Sequence, residues 1–125
     1  MTVNIPEVVA ELEKAFYRYE KALNENDVAV LTELFWDSPH VIRYGIAEQL
    51  YGAEEIRNFR TGRPTIDLRR DLLKVWIVTY GRDFATASCE YRRKETQRVG
   101  RQMQTWARID GAWKVVAAHV SLLPT

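Results

Sequence analysis

The apolar spacing of this chain changes period near Leu68, and that change limits what it can fold into. Residues 72–80, 84–95, 98–109 and 113–122 are long and rich in β-branched and aromatic side chains. Gly81-Arg82-Asp83, residues 97–100 and Asp110-Gly111 separate them. Asp-Gly between two such runs is a strong hairpin signal, because tight two-residue turns need positive φ at both central positions. Before Leu68 the pattern is helical. Leu12, Phe16, Tyr19 and Leu23 recur at four- and three-residue steps, and Val8, Val9, Ala15 and Ala22 widen the stripe. Asn4 is placed to cap this helix, and Pro6 sits near its first turn, where a missing N–H costs little. Residues 24–27 end it, and Asp27 caps a short second helix through Val30, Leu31 and Leu34. Short strands follow over residues 40–44 and near Gln49–Tyr51. A third helix over residues 53–61 carries Ile56 and Phe59 and is stopped by Gly62 and Pro64. Helices followed by four hairpin-linked strands predict a single α+β domain over residues 1–125. Its helices pack on one face of a strongly curved, mainly antiparallel sheet.

The last strand carries a second constraint. Trp113, Val115 and Ala117 alternate with Val116, Ala118 and Val120, so both of its faces are apolar. A one-sided antiparallel sheet would alternate with polar residues. One face meets the helices, and a sheet-to-sheet homodimer is the simplest cover for the other. Eighteen basic against seventeen acidic residues leave a net charge of +1, which offers no general field for nucleic acid or a membrane surface. A single cysteine, Cys89, excludes an internal disulfide and suits a reducing cytosol. No apolar run reaches signal-peptide or membrane-spanning character, so the expected location is cytoplasmic.

Chemistry concentrates around Phe35-Trp36-Asp37-Ser38-Pro39-His40-Val41-Ile42-Arg43-Tyr44-Gly45. Arg43 interrupts a short, mostly apolar strand, and an arginine is seldom buried without a partner. It marks either a polar pocket holding something anionic or a strand edge in solvent. Tyr19 lies in the apolar stripe of the first helix and points inward. Its hydroxyl then needs a partner, either a backbone carbonyl or a ligand. A phenol and a guanidinium facing one cavity can bind a carboxylate and move a proton. His119 shares strand parity with Ala117 and Val115, and so projects into that cavity or into the dimer interface. Glu90 lies with Thr86, Ser88 and Arg92, as a base or as an ion-pair partner of Arg43 or Arg101. Of the alternating sets Gln104/Trp106 and Met103/Thr105/Ala107, one faces the cavity, with Trp36 and Trp106 as candidate walls. Cys89, among Ala85, Ala87 and Tyr91, reads as a buried inert thiol, with a Cys89–His119 dyad as the minor alternative.

Several signatures are missing. The two histidines lack metal-ligand spacing, and no cofactor is expected. There is no Gly-rich phosphate loop, dinucleotide fingerprint or Gly-x-Ser-x-Gly elbow. The run Arg57, Arg60, Arg63, Arg69 and Arg70, balanced by Glu54, Glu55 and Asp67, reads as a solvated face rather than a nucleic-acid stripe.

The order of elements resembles the cone-shaped NTF2-like superfamily. The FWDSP, RYG, LYG, QTW and AAHVSLL segments, spread from about Phe16 to Leu123, resemble the AtzH-like family more specifically. That resemblance implies a homodimeric cone with a pocket between sheet and helices. One branch of the family is a hydrolase of a dicarboxyurea-type compound in s-triazine breakdown, in which a first-helix tyrosine and the arginine of the RYG segment carry the activity. Those positions match Tyr19 and Arg43. Other members sit beside amidases in purine-ureide (oxalurate) breakdown, which implies an alternative role as an amidase's accessory partner. Met103 stands in the GRQMQTW segment where the family leads us to expect serine, a departure that bears on substrate choice.

Overall fold

The structure, a computed structural model, describes residues 1–63 and 67–124. The helix stop expected at Pro64 lies outside them. Three helices precede most of a six-stranded mixed sheet. They are α1 (Pro6–Glu25), α2 (Val28–Leu34) and α3 (Ala53–Gly62), with β1 (Ile42–Tyr44) and β2 (Gln49–Tyr51) between α2 and α3. The long strands β3 (Asp71–Tyr80), β4 (Phe84–Arg92), β5 (Gly100–Ile109) and β6 (Ala112–Leu122) follow. The sheet order is β2-β1-β6-β5-β4-β3, antiparallel throughout except where β1 runs parallel to β6. The α+β architecture expected from the change of period is the one found.

Local chemistry accounts for most boundaries. Pro6 opens α1, and Asn26 closes it in the left-handed conformation with φ 53°. Asp27 caps α2 by accepting from the Val30 N–H at 3.1 Å. Asp110 and Gly111 turn β5 into β6 with φ of 50° and 81°, as the Asp-Gly pair requires. Asn4 departs from expectation, because the N-cap of α1 is Ile5 and no side chain caps it. Instead the Asn4 carboxamide oxygen accepts from the Thr79 N–H at 2.9 Å, and the Asn4 N–H donates to the Thr79 carbonyl at 3.0 Å. The side chain thus ties the chain start to β3, a longer-range use than capping.

The α1 stripe packs onto one face of the sheet. Val8, Leu12, Phe16 and Leu23 join Ala85, Ala87, Cys89, Trp106, Val115 and Ala118 in a single core. Strand parity carries a correction. A bulge opposite the Thr105/Trp106 step pairs Trp106 with Val115 but Thr105 with Ala117, leaving Val116 as the extra residue. Trp113 and Val115 therefore face the helices, whereas beyond the bulge Ala118 does so and Ala117 and His119 face away. The far face of the sheet carries one row of registered residues, Trp76, Ser88, Met103, His119 and Tyr44. Trp76 and Met103 there are 63% and 61% exposed.

Candidate functional site

Tyr19 lies three residues beyond Phe16 on α1, and its ring packs against Phe35 with centroids 6.2 Å apart. It is only 3% exposed. Its hydroxyl has no hydrogen-bond partner among the described residues, so no backbone carbonyl there takes the role weighed against a ligand.

Arg43 reaches the same interior from the sheet. Its partner across the parallel ladder is Ala118, one of the helix-facing residues of β6, so its side chain also points under the helices. It is not an exposed strand edge. Its Nη1 donates to Glu48 Oε1 at 2.9 Å, and both side chains are largely buried. The Glu48 carboxylate lies across Gly45, where any Cβ would overlap it, so glycine at this position is what admits the ion pair.

Two further guanidiniums come from α3 and its C-cap, against the expectation of a solvated basic face. Ile56, Arg60 and Arg63 are spaced i, i+4 and i+7, which puts them on one helix face. Arg60 is 5% exposed, with its Cζ 4.2 Å from the centre of the Phe35 ring. Arg63 and Arg43 approach the Phe59 ring, at 5.5 and 5.8 Å. Neither Arg60 nor Arg63 has a carboxylate partner among the described residues, and the Nε and Nη2 of Arg63 are buried without a hydrogen-bond acceptor there. Burial pushes the Arg60 guanidinium down to about 10, with the positive charges of Arg43 and Arg63 acting the same way and Tyr19 opposing them. Burial likewise lowers Arg63, with Arg43 adding to it. Shared rings bring these groups together, Tyr19 and Arg60 on Phe35 and Arg43 and Arg63 on Phe59, so the cluster holds three cations with Glu48 as the one carboxylate paired to them among the described residues.

The expectation of a solvated basic face holds for Arg57 and Arg69 and fails for Arg60, Arg70 and the half-buried Arg63. Arg57 is an exposed partner of Asp37 at 3.6 Å, and Arg69 pairs with Asp67 at 2.7 Å. Arg70 is inside the fold, held by Glu20 at 2.7 Å.

The sheet side of the interior is polar. Gln102, Gln104 and Trp106 face the helices and are buried, whereas Met103 faces away. Trp106 Nε1 donates to Gln104 Oε1 at 3.0 Å. The Nε2 groups of Gln102 and Gln104 have no acceptor among the described residues. Unpartnered buried groups in this interior thus include several donors, which suits an anion. Trp36 sits elsewhere. It lines a cleft of about 530 Å³ with Phe35, Arg57, Arg60 and Lys114, at the end of α2 and beside the β5–β6 turn. Tyr19 and Arg43 do not line that cleft, and Arg60 is the residue common to it and the buried cluster.

His119 and Glu90 are not brought to this interior. The β6 bulge turns His119 to the far face, where it meets the Tyr44 ring edge-on at 5.6 Å. Glu90 is exposed on that same face, paired across the ladder with Arg101. Cys89 points inward, so the sheet lies between it and His119 and no dyad forms. Burial raises its thiol to about 11. Among the described residues no three His, Cys, Asp or Glu side chains converge as metal ligands, and no helix is long and apolar enough to cross a membrane.

Solved structures resemble the whole of this arrangement. A protein of unknown function from Pectobacterium atrosepticum is 55% identical, with a TM-score of 0.94 over 97% of this chain and 94% of its own. A cystatin-like fold protein from Burkholderia xenovorans is 46% identical, with a TM-score of 0.95 over 100% of this chain and 98% of its own. An NTF2-like protein of unknown function from Pseudomonas putida is 17% identical and shares the fold, with a TM-score of 0.77 over 90% of this chain and 84% of its own. No curated protein matches the sequence. The AtzH-like family model matches residues 1–125, and the chain belongs to the AtzH-like family.

Proposed function

We propose that this protein is a small-molecule hydrolase acting on an anionic carboxyurea or ureido-carboxylate, of the kind met in ureide or s-triazine nitrogen catabolism. The observation that carries the reading is a buried phenol with no hydrogen-bond partner among the described residues, in the same interior as Arg43. Arg43 orients the substrate carboxylate, its own charge held in place by Glu48. Tyr19 gives its proton to the nitrogen as the C–N bond to the carboxylate carbon breaks. The electron pair of that bond goes to nitrogen, carbon dioxide leaves, and water reprotonates the phenolate. N-carboxylated ureas are already prone to this loss, so no strong nucleophile is required. The buried Cys89 thiol, held up near 11, suits none.

The test is to give the purified protein freshly generated dicarboxyurea, oxalurate and allophanate and to follow carbon dioxide and ammonia. Turnover of dicarboxyurea or allophanate, whose nitrogen carries the carboxylate directly, is expected above the buffer rate, and none above it would remove the reading. Arg43→Ala should weaken binding of small ureido-carboxylates by about tenfold or more, since a charge-assisted bond contributes about 1.5–3 kcal/mol and the variant leaves Glu48 facing the ligand. Unchanged affinity by calorimetry would show that Arg43 is no ligand.

The same proposal includes a homodimer through the far face of the sheet. The exposed row containing Trp76 and Met103 is apolar enough to need a cover, and a second copy supplies a matching sheet. Sedimentation equilibrium at micromolar concentration should give twice the 14.6 kDa chain mass, and Met103→Glu should return the monomer. A monomeric parent would sink this part.

A further inference from the structure

We propose that Arg60 and Arg63 form an anion subsite separate from Arg43, reached through the cleft beside Trp36, which takes a second oxyanion group of the ligand. This rests on the reading of the interior as an anion pocket and assigns it residues and an entrance. Arg43 is the cation whose charge is already answered, by Glu48 at 2.9 Å. Arg60 is more than nine-tenths buried and stands over the Phe35 ring with no carboxylate among the described residues. A cation–π contact offsets only part of the cost of burying a guanidinium, and an uncompensated buried charge is among the most destabilising features a fold carries. Among the described residues, three cations against the one paired carboxylate of Glu48 leave two positive charges for a ligand to neutralise.

Geometry supplies the route. Arg60 is the most buried of the cations lining the cleft of about 530 Å³, and Arg57 and Lys114 stand nearer solvent. Both outer cations are partly engaged, Arg57 with Asp37 at 3.6 Å and Lys114 with the Glu33 carbonyl at 2.6 Å. They attract an anion without holding it, whereas Arg60 has no hydrogen-bond partner and the Nε and Nη2 of Arg63 no acceptor among the described residues. Phe35 joins the two regions: Arg60 Cζ stands 4.2 Å from its ring centre and the Tyr19 ring packs against it with centroids 6.2 Å apart, so an anion held by Arg60 lies towards Tyr19.

Malonate and acetate are suitable probes, because neither has a C–N bond to cleave. Calorimetry on the full chain should show malonate binding at least about tenfold tighter than acetate. Arg60→Met should remove most of that advantage while raising the thermal midpoint of the ligand-free protein, because the variant deletes a buried charge without a counterion. Arg63→Gln, at a half-buried site, should weaken malonate similarly and keep the fold. Malonate no tighter than acetate in the parent, or unchanged in both variants, would overturn the subsite. A lower thermal midpoint for Arg60→Met with parental malonate affinity in Arg63→Gln would assign Arg60 to structure instead. Malonate binding through Arg60 without turnover of any ureido acid would keep the subsite and remove the hydrolase. Turnover with malonate affinity unmoved would do the reverse.

Discussion

Tyr19→Phe is expected to lose about a hundredfold or more in kcat on whichever ureido-carboxylate the protein turns over, with KM close to the parent's. The substitution removes one oxygen and leaves the ring against Phe35. That oxygen holds no hydrogen bond among the described residues, so its loss breaks no structural contact there and the thermal midpoint should stay level or rise. Carboxylate binding rests on the guanidiniums, which the variant keeps. A loss confined to kcat therefore reports an interaction made only as the nitrogen takes its proton. A phenol is a suitable acid but a poor base at neutral pH, so the direction of transfer is part of the expectation. Parental kcat in Tyr19→Phe would rule out this proton donor, and a rise in KM alone would make Tyr19 a binding group.

The route from sequence to this site succeeded where local period decides orientation and failed where distant partners do. Tyr19 was legible because Leu12, Phe16 and Leu23 fix the buried face of a 20-residue helix. The inward set on β5 was open from alternation alone, since Gln104/Trp106 and Met103/Thr105 fit either face equally. The parity His119 shares with Val115 in the sequence does not hold, because one bulged residue, Val116, reverses it within β6, and nothing in an unbroken apolar run announces a bulge; of cavity and sheet-to-sheet face, His119 takes the second. Arg60 and Arg70 were assigned to solvent because charged residues are mostly exposed. For Arg60 a signal existed, its four-residue step from Ile56, but an arginine on an apolar helix face is ordinarily discounted. For Arg70 no local signal exists, because its partner Glu20 lies 50 residues earlier. The Glu48 partner of Arg43 was nearer, yet it is joined only once the β1–β2 hairpin closes.

That long-range pair carries the largest stability effect expected in the molecule. Glu20→Gln should destabilise the fold by about 3–5 kcal/mol, the usual cost of removing one partner of a buried ion pair. Arg70 is fully enclosed, with a side chain 1% exposed. Its Nε and Nη2 donate to the two Glu20 oxygens at 3.0 and 2.7 Å, and its Nη2 also reaches Gln102 Oε1 at 3.1 Å. Asn24 closes the network, donating to Glu20 and accepting from the Arg70 N–H at 2.7 Å. Burial works against the Arg70 charge, but the Glu20 carboxylate more than offsets it, so its affinity for a proton is raised. The sign follows: the stabilisation from this shift is present throughout the neutral range and is lost only as pH climbs beyond the ordinary arginine value. A glutamine keeps the shape and one acceptor oxygen but leaves the guanidinium buried without a counterion, set over the Tyr91 ring. Against a total of about 5–15 kcal/mol for a domain, such a loss lowers the thermal midpoint by on the order of 10 °C. Glu20→Leu combined with Arg70→Met should recover most of it, because removing both charges removes the desolvation cost as well. Calorimetric unfolding of the two variants decides the matter: if Glu20→Gln unfolds within a degree or two of the parent, the pair is not what fixes α1 against the sheet.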